Sequence, residues 1–142
     1  MDIADQDPPP STERSALMAR VRGKNTKPEL VVRSLAHRLG YRFRLHRREL
    51  PGSPDLVFPR SHKAIFVHGC FWHRHEGCSH TTTPKTRAAY WNAKFKRNVE
   101  RDEKAVNALR AIGWSVLIIW ECETKDLDTL ADKLKSFLDI SH

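Results

Sequence analysis

Apolar positions along the chain change period from segment to segment, and these changes predict its elements. Thr26-Lys27-Pro28-Glu29 reads as a capping box, because a Thr hydroxyl and a Glu carboxylate at this spacing can serve free N–H groups of a first helical turn. Leu30, Val31, Leu35 and Leu39 then supply an apolar face, and Gly40 stops the helix. Tyr41, Phe43 and Leu45 alternate with Arg42, Arg44 and His46, the period of a half-buried strand with a cationic outer face. Pro51-Gly52-Ser53-Pro54 turns the chain into Asp55 and the short strand Leu56-Val57-Phe58, and after a second turn Ala64 to Val67 form a third strand. The segment from His68 to Pro84 is long and irregular for a small domain, which predicts a functional loop or one pinned by a metal.

Thr86 to Ile112 reads as one long helix closed by Gly113. At about 100° per residue, Trp91, Phe95, Asp102, Val106 and Leu109 fall on one stripe. Asp102 therefore points to the core side, where a carboxylate is costly unless a cationic or hydrogen-bonding group receives it. Trp114 to Trp120 is a buried-strand run, and Leu127, Leu130, Leu134 and Leu138 mark a closing amphipathic helix. The order helix, three strands, helix, strand, helix predicts an α/β sandwich about a central mixed sheet.

A chain of 142 residues suits one domain. Residues 1–12, with Pro8-Pro9-Pro10, read as a flexible polar arm ahead of a single domain over 13–142, in which Ser15 to Arg22 could form a short basic helix. The net charge is +8, and its distribution is uneven. From Arg14 to Arg48 there are eleven Lys or Arg and one acid, Glu29, whereas the first thirteen residues hold four acids and no Lys or Arg. That asymmetry predicts a binding face for an acidic polymer, although charge alone does not separate DNA from RNA or an anionic membrane. No basic n-region precedes an apolar core, and Val116 to Trp120 is too short to span a bilayer, so a soluble cytosolic protein is expected.

Three cysteines are an odd number, which favours metal ligation or burial over a disulfide framework. Cys70, His75 and Cys78 have the spacing C-x4-H-x2-C, and Cys122 lies just past the last strand. A Cys3His set would suit structural zinc that staples the loop to the sheet; the alternative is three buried thiols. Asp55, entering a strand after a proline turn, is a candidate for holding Mg²⁺ in phosphodiester cleavage or else a turn residue. His68 and His73, outside the zinc count, are candidates for proton transfer. Glu29 has its helix cap as a competing role, and Asp102 an ion pair with Arg97 or Arg101. Phe71-Trp72 either plug the core or wedge into a base stack, with Met18 able to wedge similarly.

In combination, these residues carry a resemblance. His68-Gly69-Cys70-Phe71-Trp72-His73, with Pro51-Gly52-Ser53-Pro54-Asp55 before it and Asn98-Val99-Glu100-Arg101-Asp102 and Trp120-Glu121-Cys122 after it, closely resembles the very-short-patch repair (Vsr) DNA mismatch endonucleases. The likeness runs from about Ser15 to Leu138. It implies a restriction-endonuclease-like fold with a zinc-stapled loop, in a cytoplasmic, DNA-associated monomer that nicks double-stranded DNA next to the thymine of a T:G mismatch left by 5-methylcytosine deamination. Asp55 would bind Mg²⁺ with the backbone carbonyl of Val67; His73 would act on the attacking water, and His68, Glu29 and Asp102 would complete the site. Phe71, Trp72 and Met18 would form the intercalating wedge, Arg20, Arg22 and Lys24 would contact DNA, and Cys70, His75, Cys78 and Cys122 would hold structural zinc. Mismatch-repair proteins and a repair polymerase are the partners such a reaction implies. The rival expectations are a catalytically silent mismatch-binding module, which Val67 invites because the best-known form of the family has threonine there, a restriction-type nuclease, or a zinc-stabilised interaction domain.

Overall fold

The computed structural model describes residues 26–139. Met18, Arg20, Arg22, Lys24, the expected arm and the basic helix lie outside the described residues. Helix α1 spans Lys27–Arg38, β1 Arg44–Leu45, β2 Leu56–Phe58 and β3 Lys63–His68. A short helix, α2, follows at Cys70–His73, then the long α3 at Ala88–Ala111, β4 at Ser115–Trp120 and α4 at Leu127–Leu138. The four strands lie in sequence order; β1–β2 and β2–β3 are antiparallel and β3–β4 is parallel, so the sheet is mixed as expected.

Strand alternation divides the core between the two sheet faces. On one face Leu56, Phe58, Ile65 and Ile119 pack against Val32, Leu35 and Ala36 of α1 and Leu130 and Leu134 of α4. On the other, Ala64 and Phe66 pack against Val106 and Leu109 of α3, with Val116 and Ile118 beside them. Helices thus cover both faces, giving the expected α/β sandwich. The turn before β2 is fitted closely to α3: Gly52 has φ +77°, and a Cβ there would lie 2.6 Å from that of Ala105, so this position requires glycine.

Three local expectations are corrected. Thr26 caps α1 by accepting from the Glu29 N–H at 3.4 Å, but the buried face is Val32, Leu35 and Ala36, and Leu30 is 46 % exposed. Leu30 lies two residues before Val32, about 200° around the helix from it, while Glu29, three before Val32 and seven before Ala36, falls on the buried stripe. The first strand shrinks to two residues, with Leu45 exposed and His46 half-buried. His46 has φ +47°, a left-handed conformation that breaks the two-residue alternation. The stretch after β3 begins as the helical turn α2.

Candidate active site and metal centre

The site begins at the N-terminal end of β2. The Asp55 N–H donates to the Ile65 carbonyl at 3.0 Å, and the Asp55 carbonyl accepts from the His46 N–H at 3.3 Å. Its side chain is fixed as well, since the Val67 N–H donates to Oδ2 at 2.7 Å. Burial pushes the Asp55 carboxyl up to about 6; the Val67 N–H opposes this, Glu29 adds to it, and His46 and His73 hold it down. Glu29, His46 and His73 thus lie close enough to Asp55 to bias its ionisation.

Glu29, 2 % exposed, reaches this site from α1. Its Oε2 accepts from His46 Nε2 at 2.7 Å and from Arg33 Nη1 at 3.3 Å, a donor set that fits a buried carboxylate. One ligand atom each from Glu29, His46 and Asp55 lie within 4.8 Å of one another. Sequence reasoning missed His46, which the strand alternation had assigned to the outer cationic face. No sequence signal marked its left-handed backbone.

A second group, His68, His73 and Asp102, is equally compact. The expected partner for Asp102 is a histidine rather than an arginine: its Oδ2 lies 2.6 Å from His73 Nδ1, while Arg101 donates to Asn98 Oδ1 at 3.1 Å. With Asp102 ionised, Nδ1 must carry the proton, which leaves His73 Nε2 as a proton acceptor. The His68 and His73 rings stack 3.9 Å apart and 7° from parallel. His68 is buried, and burial, with His73 adding and Asp102 opposing, drives its basicity down to about 3. Its Nδ1 is buried with no hydrogen-bond partner among the described residues.

Helix α3 holds this group in place. Asn98, buried and given no role by the sequence, donates from Nδ2 to the Trp72 carbonyl at 3.2 Å. Trp72 lies in an aromatic cluster with Trp91 and Phe95, and Phe71 packs against it edge-on to Trp72 at 5.0 Å. Arg74 lies over the Phe95 ring at 3.9 Å and donates to the Phe71 and Thr82 carbonyls and to Thr83 Oγ1. The pair is therefore packed inward, and entry into a base stack would require it to leave this cluster.

The four predicted zinc ligands come together. Cys70, His75, Cys78 and Cys122 offer ligand atoms within 4.8 Å of one another. His75 Nδ1 is 3.6 Å from Cys70 Sγ and 3.5 Å from Cys122 Sγ. In a tetrahedron with the usual Zn–S and Zn–N lengths the S···N edge is about 3.6 Å, so the donor set fits zinc. Burial pushes the Cys70 thiol up to about 12; a main-chain hydrogen bond from Cys122 opposes this, and the Cys122 and Cys78 side chains add to it. His75 also stacks on Trp120 at 4.2 Å, and His68 meets the same indole edge-on at 5.3 Å, so one side chain joins the cysteine group to the histidine group.

Comparisons agree with this arrangement. Residues 2–80 match the family described as DNA mismatch endonuclease Vsr. The type II nicking enzyme V.XorIIP of Xanthomonas oryzae pv. oryzae is 52 % identical over 128 residues, covering 90 % of this chain and 93 % of that protein. The DNA mismatch endonuclease Vsr of Escherichia coli K12 is 39 % identical over 120 residues, covering 84 % and 76 %. The type II nicking enzyme V.NmeAIP of Neisseria meningitidis is 36 % identical over 124 residues, covering 87 % and 88 %.

Proposed function

The chain belongs to the Vsr family of DNA endonucleases, and from that premise we propose that it nicks one strand of duplex DNA beside the thymine of a T:G mismatch. The observation that carries this reading is a pair of groups in a strongly basic chain, Glu29 with Asp55 and His68 with His73 and Asp102, linked by the influence of His73 on Asp55. The sandwich is then a restriction-endonuclease-like fold, acting as a monomer in the cytoplasm.

Asp55 and the Val67 carbonyl would hold Mg²⁺, and Cys70, His75, Cys78 and Cys122 would hold structural zinc. Bound Mg²⁺ supplies Lewis-acid stabilisation of phosphate charge and acidifies water. His73 accepts the proton of the attacking water at Nε2, because its Nδ1 is committed to Asp102. Asp102 fixes the tautomer and stabilises the imidazolium that forms. His68, neutral beside His73, would donate a hydrogen bond to the phosphate without adding a second positive charge to the stack.

Phe71 and Trp72, on leaving their aromatic cluster, would form the wedge with Met18, and Arg20, Arg22 and Lys24 would contact the backbone. A wobble pair is cheaper to unstack than a matched pair, so deformability contributes to recognition. Repair proteins and a polymerase would take over the nicked product. The reading is tested by labelling each strand of a T:G duplex separately. With Mg²⁺ only the thymine strand should shorten; cutting of both strands, or of neither, would contradict it.

A further inference from the structure

We propose that His46 is a positioning residue for strand cleavage: its imidazole holds the Glu29 carboxylate beside Asp55, so that both carboxylates face one divalent cation. Ligand atoms of Glu29 and Asp55 lie within 4.8 Å of one another, and two carboxylates that close repel when both are ionised. Something must hold them together, and His46 is built to do so. Its Nε2 lies 2.7 Å from Glu29 Oε2, its main-chain N–H donates to the Asp55 carbonyl at 3.3 Å, and ligand atoms of the three residues lie within 4.8 Å. With Glu29 ionised the ring must donate, since a carboxylate only accepts. The contact is made from a left-handed backbone at φ +47°. Such strain in a non-glycine residue persists where surrounding contacts impose it, and it gathers at functional sites. Arg33 also reaches Glu29, at 3.3 Å from one turn further along the same helix.

The inference rests on the reading of Asp55 as a cation ligand, and Mn²⁺ separates the two. Free Mn²⁺ is counted by electron paramagnetic resonance while zinc-loaded protein is titrated without DNA. Binding by the wild type and its loss in Asp55→Asn support the cation site itself; no binding, or binding by Asp55→Asn as tight as wild type, sinks that reading. His46→Leu should then weaken Mn²⁺ at least about tenfold, and His46→Gln, which keeps a donor of similar reach, should restore it to within about threefold. In a Glu29→Gln background, His46→Leu should change Mn²⁺ affinity less than about twofold. If His46→Leu melts below the assay temperature, His46→Asn, whose donor is too short, carries the same expectation. The proposal is overturned if His46→Leu binds Mn²⁺ as wild type does, if His46→Gln is as impaired as His46→Leu, or if the loss persists without Glu29.

Discussion

Asp55→Asn should abolish nicking and, at the same time, stabilise the protein. The ionised carboxylate is held where burial has raised its pKa from 3.8 to about 6. A raised carboxyl pKa means that the native state binds the proton more tightly than the unfolded chain does. The folding penalty is absent below the unfolded value, grows as pH rises between the two values, and is complete above the folded one. These values give a cost of about 3 kcal/mol at pH 8 and about 0.5 kcal/mol at pH 4. Asparagine removes the charge while its Oδ1 can still accept from the Val67 N–H. The expected gain for the variant is therefore up to about 3 kcal/mol at pH 8, shrinking to about 0.5 kcal/mol at pH 4. Urea unfolding of both proteins across this range, without Mg²⁺, measures it, and the histidine and cysteine titrations common to both cancel in the difference. Adding Mg²⁺ at ten times its Kd should stabilise the wild type by about 1.4 kcal/mol and leave the variant unchanged. An asparagine variant less stable than wild type at pH 8, or a difference independent of pH, would refute the reasoning.

Other residues make separate predictions. Asp102→Asn should slow nicking by about 10²- to 10³-fold with little change in duplex affinity, because it disturbs the tautomer of His73 rather than the DNA contacts; an equal loss in binding would show that Asp102 serves recognition. Cys122→Ser should lower zinc affinity by more than about 100-fold, seen as metal content below one ion per chain, and lower the melting temperature; a full zinc complement would remove Cys122 from the site. The His68 ring should stay neutral down to pH 5 in an NMR titration, since burial has lowered its basicity to about 3. With the native pKa below the unfolded one, this residue makes stability fall as pH drops below about 6.5; a transition near 6.5 in the folded protein would contradict its burial.

Periodic signals in the sequence carried the long elements. The stripe of Trp91, Phe95, Val106 and Leu109 is the buried face of α3, and Asp102 on that side finds a polar partner, as its cost required. The cysteine and histidine spacing points to the same four residues that the fold brings together. What periodicity could not show is where the period breaks. A left-handed residue at His46 ends β1 early and turns an expected surface histidine onto Glu29. Leu30 was placed in the core for its side chain, although its angle on α1 puts it outside. Asn98 was invisible as a positioning group because its partner is a main-chain carbonyl in another element. The residues alone favour the core slightly for Trp72 and the family resemblance favours a wedge for Phe71 and Trp72; in the structure they pack in an aromatic cluster.

Mismatch-directed nicking is tested most directly by single-turnover cleavage of two duplexes that differ only in T:G or T:A at one position, with Mg²⁺ and zinc-loaded protein. The account predicts a nick beside the thymine in the T:G duplex and a rate on T:A lower by at least about 100-fold, a difference of about 2.7 kcal/mol in transition-state stabilisation. Equal rates on the two duplexes, or mismatch-dependent binding with no product, would contradict it.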